Sequence, residues 1–291
     1  MPCGSSWPHR AIRGQTTSRA RRAAAVPSAV GVGIECRLVI EVRDLTKTYG
    51  DFTAVDGLSF SVRPSEVVGL IGPNGAGKTS TLRCIVGIQA PSRGAISVGG
   101  HDTVKDSVEA KRLLAFMADE PQLFEYLTVT EHLRLMARLY QVRDFEARAR
   151  TLIQELQLTG KENSLPAELS RGMKQKVAIA CGLLHEPKAL IFDEPLTGLD
   201  PLGIRHMKET IVSRGRAGAA VIVSSHLLHL VEEICTRIVI IDRGVKVADG
   251  TLDELRARPE LAAAGSNLES IFLTATGHDV APKAEPTTGG Q

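Results

Sequence analysis

Gly72-Pro73-Asn74-Gly75-Ala76-Gly77-Lys78-Thr79 has the spacing G-x-x-x-x-G-K-[ST]. Glycines at those places let backbone N–H groups turn inward around phosphate oxygens, and a helix beginning there adds partial positive charge. A lysine in this position supplies a point charge for β- and γ-phosphates, and the threonine hydroxyl reaches a bound Mg²⁺. Ser80 extends the set. A second group stands far downstream, where the apolar run Ala189-Leu190-Ile191-Phe192 ends in Asp193-Glu194-Pro195. A strand ending in an acid puts a carboxylate at the carboxyl edge of a sheet, where open α/β folds bind ligands. Asp193 is then the Mg²⁺-supporting acid. Glu194, one residue on, can face the terminal phosphate as general base for water. Together the two groups predict binding and hydrolysis of a nucleoside triphosphate with Mg²⁺.

These residues need elements to hold them. Val67-Val68-Gly69-Leu70-Ile71 before the glycine loop reads as a buried strand, and Thr79–Ile88 after it as a helix with Leu82, Ile85 and Val86 on one face. Ala189–Phe192, Ala220–Val223 and Ile238–Ile241 are further unalternated apolar runs, the pattern of a parallel sheet covered on both faces. Leu38–Val42, Leu58–Val62 and Ala95–Val98 read as additional strands, the second alternating and the third bounded by glycines. From about 102 to 168 the pattern turns helical, with Leu133, Met136, Ala137 and Tyr140 at i, i+3, i+4, i+7. The expected fold is therefore α/β: a P-loop NTPase core with a mostly parallel sheet, an N-terminal antiparallel β subdomain and an inserted helical subdomain over about 102–168. Short helical stretches are expected at Leu252–Ala264 and Leu268–Leu273.

Leu169-Ser170-Arg171-Gly172-Met173 lies about 20 residues before Asp193, Thr197-Gly198-Leu199-Asp200 follows the acidic strand, and Ser224-Ser225-His226 ends the next one. In this order, around a phosphate loop, the chain over about 38–275 resembles the ATP-binding subunit of an ABC transporter, whose signature usually reads LSGGQ. The resemblance implies that two such domains pair head to tail, with ATP between the phosphate loop of one and the signature of the other. Ser170 and the amide of Gly172 would begin a helix, Arg171–Leu184, aimed at the partner's γ-phosphate. His226 would contact the γ-phosphate, Asp200 would link the two sites, and Tyr49 would stack on adenine. Alone, His226 reads as a packed or solvated histidine and Tyr49 as a packing residue at a strand end.

Three positions, in two motifs, depart from the family pattern. Arg171 replaces the first glycine of the signature pair, and Met173 replaces its glutamine, while Ser170 and Gly172 remain. The glutamine that senses Mg²⁺ and the permease should fall near Ala118-Asp119-Glu120-Pro121, where the acid Asp119 stands. An acid can coordinate Mg²⁺, with a charge and reach unlike glutamine's.

Composition narrows the class. The net charge is +2, but residues 1–37 carry six Arg and one acid, so the remainder is at −3 and shows no basic nucleic-acid footprint. Five scattered cysteines (Cys3, Cys36, Cys84, Cys181, Cys235) fit neither a disulfide framework nor a zinc site, and imply a reducing compartment. No apolar run approaches the roughly 18–20 residues of a membrane span. The expectation is a peripheral subunit at the cytoplasmic face of a membrane, attached through a separately encoded integral-membrane permease. A second copy or homologue of the chain would complete it, and exporter-type subunits are the nearest match in overall text. A soluble ABC-type ATPase acting on a non-transport partner is the alternative. Residues 1–37 read as a disordered or mis-started tail, with a transit-like or twin-arginine segment as competing readings, and residues 276–291 as a disordered tail. The cargo has no signature in the sequence.

Overall fold

The computed structural model describes residues 38–197, 199–261 and 267–277. The chain opens with β1 (Ile40–Tyr49), β2 (Phe52–Val62), β3 (Val67–Ile71) and α1 (Lys78–Ile85). Next come β4 (Arg93–Val98), β5 (His101–Asp102), α2 (Ser107–Arg112) and β6 (Leu114–Met117), then α3 (Val129–Leu139), α4 (Phe145–Glu155) and α5 (Arg171–Leu183). The acidic strand is β7 (Ala189–Asp193), followed by α6 (Pro201–Arg216), β8 (Ala220–Ser224), α7 (Leu228–Ile234), β9 (Arg237–Asp242) and β10 (Val245–Gly250). Two short helices, α8 (Leu252–Arg256) and α9 (Leu268–Ala275), end the described chain.

Two sheets organise these elements. One is antiparallel, in the order β2-β1-β4-β5, and the other runs β10-β9-β3-β8-β7-β6. In the second, β9, β3, β8, β7 and β6 are parallel and only β10 at the edge is antiparallel. The apolar runs are continuous because both faces of this sheet are covered. Successive side chains of β7 divide between two cores: Leu190 and Phe192 pack with the helices α3 to α6, Ala189 and Ile191 with α1 and the antiparallel sheet. Val221 and Val223 of β8 divide from Ala220 and Ile222 in the same way. Phe192 is fully buried; truncating such a side chain to alanine typically costs about 3–5 kcal/mol.

The mixed α/β architecture matches the expectation. The stretch read as helical from about 102 to 168 does so only in part. Its first third supplies β5, α2 and β6, and β6 pairs in parallel with β7 as the last strand of the core sheet. Four residues, Leu-Ala-Phe-Met, are too few to show a period of their own beside helical text. The helical layer proper begins at α3, which Thr128 and Glu131 start with a capping box. Helix bounds also tighten: α1 ends at Ile85 rather than Ile88, and α8 at Arg256. The tail at 1–37 lies outside the described residues, as does that at 276–291 beyond Gly277. No described helix is long and apolar enough to cross a membrane.

Candidate functional site

The glycine loop runs from β3, in the middle of the parallel sheet, into α1. Two glycines carry its shape. A Cβ at Gly72 would sit 2.2 Å from the Ile241 carbonyl oxygen. Gly77 caps α1 at φ +100°, and its Cβ would lie 2.4 Å from the Ala54 carbonyl oxygen. The first N–H groups of α1 have no partners inside the helix and face the loop.

Lys78 is folded back into this loop. Its Nζ donates to the carbonyl oxygens of Gly72 (2.6 Å) and Pro73 (3.1 Å), and the residue is buried. Burial pushes its pKa down, against the attraction of Glu194 and Asp193. Asp193 ends β7 and is buried as well. Its pKa is raised, first by burial and further by the charges of Glu194 and Asp119, while the charge of Lys78 pulls the other way.

Glu194 follows in a left-handed backbone conformation, φ +50°, which is uncommon for a residue with a side chain. Its N–H donates to the Ser224 carbonyl at 2.9 Å, which fixes the turn against β8. Its carboxylate accepts the Nδ1 proton of His226 at 2.8 Å and the His226 backbone N–H at 3.3 Å. Placing the proton on Nδ1 leaves Nε2 as the outward end of the ring. Thus an acid and a histidine 32 residues apart form one unit.

A cleft of about 380 Å³ opens over these groups, lined by Tyr49, Phe52, Ala54, the loop from Asn74 to Ser80, and Asp193 with Glu194. The Tyr49 hydroxyl hydrogen-bonds to Ser80 Oγ at 3.3 Å and to Gln89 Oε1, and Lys47 Nζ lies 5.1 Å from the centre of its ring. Phe52, exposed at the start of β2, is a second aromatic on the same wall. Sequence reasoning missed it; an isolated aromatic in a turn after a strand carries no signal of its own.

The remaining candidates stand elsewhere. Ser170, Gly172, Asp119, Asp200 and His226 are not among the residues lining the cleft. Ser170 caps α5, its Oγ accepting from Met173 N–H at 3.3 Å. Asp200 caps α6, its Oδ1 accepting from Gly203 N–H at 2.9 Å. Asp119 lies in the loop after β6 and forms an ion pair with Arg171, 3.3 Å from Nη2 to Oδ1.

The cleft fits a polyphosphate and a divalent cation. The buried ammonium of Lys78 has only carbonyl oxygens as hydrogen-bond partners there. The carboxylate of Asp193 is disfavoured by two other acids, a deficit that a divalent cation fills. Among the described residues no group of three or more His, Cys, Asp or Glu could hold a metal alone. Mg²⁺ keeps several waters and binds through one or two carboxylates plus phosphate oxygens.

Comparison with known proteins points to one family. The family model described as ABC transporter matches residues 55–197. The ABC-type transporter ATP-binding protein EcsA of Bacillus subtilis is 37% identical over 243 residues, 83% of this chain and 98% of that protein. Nod factor export ATP-binding protein I of Paraburkholderia xenovorans is 36% identical over 220 residues, 75% of this chain and 72% of that protein. Among solved structures, an ATP-binding subunit of an ABC transporter superposes with a TM-score of 0.77 at 38% identity, covering 81% of this chain and 99% of the other.

Proposed function

Because the chain belongs to the family of ABC transporter ATP-binding proteins, we propose that it hydrolyses ATP to drive a separately encoded membrane permease, in the export direction. The observation that carries this reading is the gathering of Lys78, Asp193 and Glu194 around one cleft at the end of the parallel sheet. We take 38–275 as the working domain.

In this reading the phosphates of ATP lie along the loop from Gly72 to Ser80, with the amides of the first turn of α1 and Lys78 as donors. Adenine rests against Tyr49 and Phe52. Thr79, Asp193 and Asp119 hold Mg²⁺, which when bound neutralises charge on the phosphate oxygens. Glu194 takes a proton from the attacking water. His226 orients that carboxylate through Nδ1–H and presents Nε2 toward the γ-phosphate side. The site is unfinished in one chain. Ser170 and Gly172, which begin a second helix suited to an anion, lie off the cleft, so they serve the nucleotide of a partner copy or homologue paired head to tail. Asp200, at the start of α6, lies between the two sites.

A partner in the membrane is supported by a second feature. A largely apolar groove of about 460 Å³ runs between the core and α3, lined by Ala118, Pro121, Gln122, Phe124, Met136 and Tyr140 among others. Phe124 and Tyr126 stand exposed in the same loop as Asp119. Exposed aromatics beside an apolar groove mark an interaction site, and these adjoin a metal-binding acid. The permease docks there, and the chain is held at the cytoplasmic face through it.

The experiment is Glu194→Gln, which keeps the side chain's size and removes its basicity. Steady-state turnover should fall about 10²–10⁴-fold with ATP affinity preserved. Near-normal turnover would remove Glu194 as the base.

A further inference from the structure

We propose that Asp119 and Arg171 form a latch, in which the arginine at the start of α5 holds the acid of the nucleotide site until Mg²⁺ takes it. The inference rests on the reading of Asp119 as a metal-binding acid. Both residues depart from the pattern the sequence otherwise follows: an acid stands where glutamine is expected and an arginine where glycine is expected. Neither usual residue could form an ion pair. Here the two departures meet across 52 residues of chain, 3.3 Å apart.

The setting explains why they meet. Arg171 is the first residue of α5, and the first turn of that helix contains no acid. A cation at a helix N-terminus is repelled by the unpaired amides there, so Arg171 gains from an external anion. Asp119 has the opposite need. It lies near enough to Asp193 for its charge to disfavour ionisation there, and a guanidinium relieves that repulsion. Each is about half exposed, 44% and 52% of the side chain. The pair is therefore weak enough to exchange partners, because exposed ion pairs contribute little.

A divalent cation beside Asp193 supplies Asp119 with a stronger partner than Arg171. The carboxylate then faces two competing cations: the arginine in the free chain, the metal in the loaded one. When the carboxylate goes to the metal, Arg171 is released at the start of α5, beside Ser170 and Gly172. The loading of a chain's own site is thereby felt at the helix it offers to its partner. The latch joins two ends of one subunit without any motion of the parallel sheet.

Competition has a sign that a supporting role lacks. If Arg171 merely holds Asp119 in place, its removal weakens Mg²⁺ binding; if it competes, its removal strengthens it. Binding of a non-hydrolysable ATP analogue by the full chain would be followed as Mg²⁺ is titrated. Arg171→Ala should lower the Mg²⁺ concentration at half-effect by about 1.5- to 5-fold, the range exposed ion pairs span. Arg171→Lys should stay near the unaltered protein, and Arg171→Ala should change nothing in an Asp119→Asn background. The Arg171 side-chain NMR signal, assigned from Arg171→Lys, should move on Mg²⁺ addition toward its position in Asp119→Asn.

A Mg²⁺ midpoint that rises or stays fixed in Arg171→Ala would overturn the latch. So would an Arg171 signal already the same in Asp119→Asn and unaltered protein before Mg²⁺ is added. Failure of the underlying reading is separate: in that case Asp119→Asn by itself would leave the Mg²⁺ midpoint for the analogue where the unaltered protein has it.

Discussion

Asp193 and Lys78 are the two charges the chain buries to make its cleft, and burial acts against both. Their shifts give the molecule a pH signature. The raised pKa of Asp193 means that the folded state holds its proton to higher pH than the unfolded chain does. Stability therefore falls as pH rises from the usual carboxylate range through the folded value. Lys78 is lowered, so the folded state loses its proton earlier; its burial cost is fully present below the folded pKa and fades as pH rises toward the ordinary lysine value. Each shift is thus the cost of burying a charged form. Asp193→Asn removes the first, and should raise the melting temperature measured at pH 7–8 while abolishing Mg²⁺-dependent nucleotide binding. A lower melting temperature would show that the attraction of Lys78 outweighs burial. At this scale much of the cleft was legible beforehand, since the phosphate loop and the acidic pair combine residue types and spacings that chemistry constrains tightly. The Glu194–His226 contact was not: 32 residues separate its members, and no local pattern predicts which strand ends meet. Asp119 facing Arg171 was hidden for the same reason.

The elements hold the site by geometry that side chains could not tolerate. Gly77 joins the loop to α1 in a conformation open to glycine, with a backbone oxygen at 2.4 Å from any added Cβ. Gly77→Ala should therefore cost several kcal/mol through strain and clash, seen as a lower denaturation midpoint, and reduce nucleotide binding at least tenfold. Full retention of both would mean that the loop adapts freely. Legibility of the elements followed their length and periodicity. The runs that became β3, β7, β8 and β9 stood out because burial on both faces leaves no polar residues to interrupt them. The strand β6 was lost because its four residues sit between helical stretches. The edge strand β10, with three exposed residues at its start, shows little apolar pattern. The sheet order that puts β3 between β8 and β9 is set by long-range packing and has no local signal.

At the scale of the whole molecule, the described residues place the phosphate loop, Asp193, Glu194, Tyr49 and Phe52 on one cleft, and Ser170 at the start of α5 off it. In the proposed reading a second copy or homologue completes each site, and that pairing has an arithmetic that experiment can read. Chains carrying Lys78→Ala have no working phosphate loop; chains carrying Ser170→Arg have no working signature. Each homodimer then has two broken sites. A mixed dimer of the two has one site broken twice and one fully intact. A chain carrying both changes, paired with the unaltered chain, instead breaks each site once. The most direct measurement is ATP hydrolysis by isolated, differently tagged mixed dimers in these two pairings, with melting curves confirming that every variant folds. The account predicts recovered hydrolysis when the two single variants are paired and none when the double variant is paired with the unaltered chain. The reverse pattern, hydrolysis by the double variant paired with the unaltered chain and none by the two single variants together, would contradict it, because each site would then be completed within a single chain.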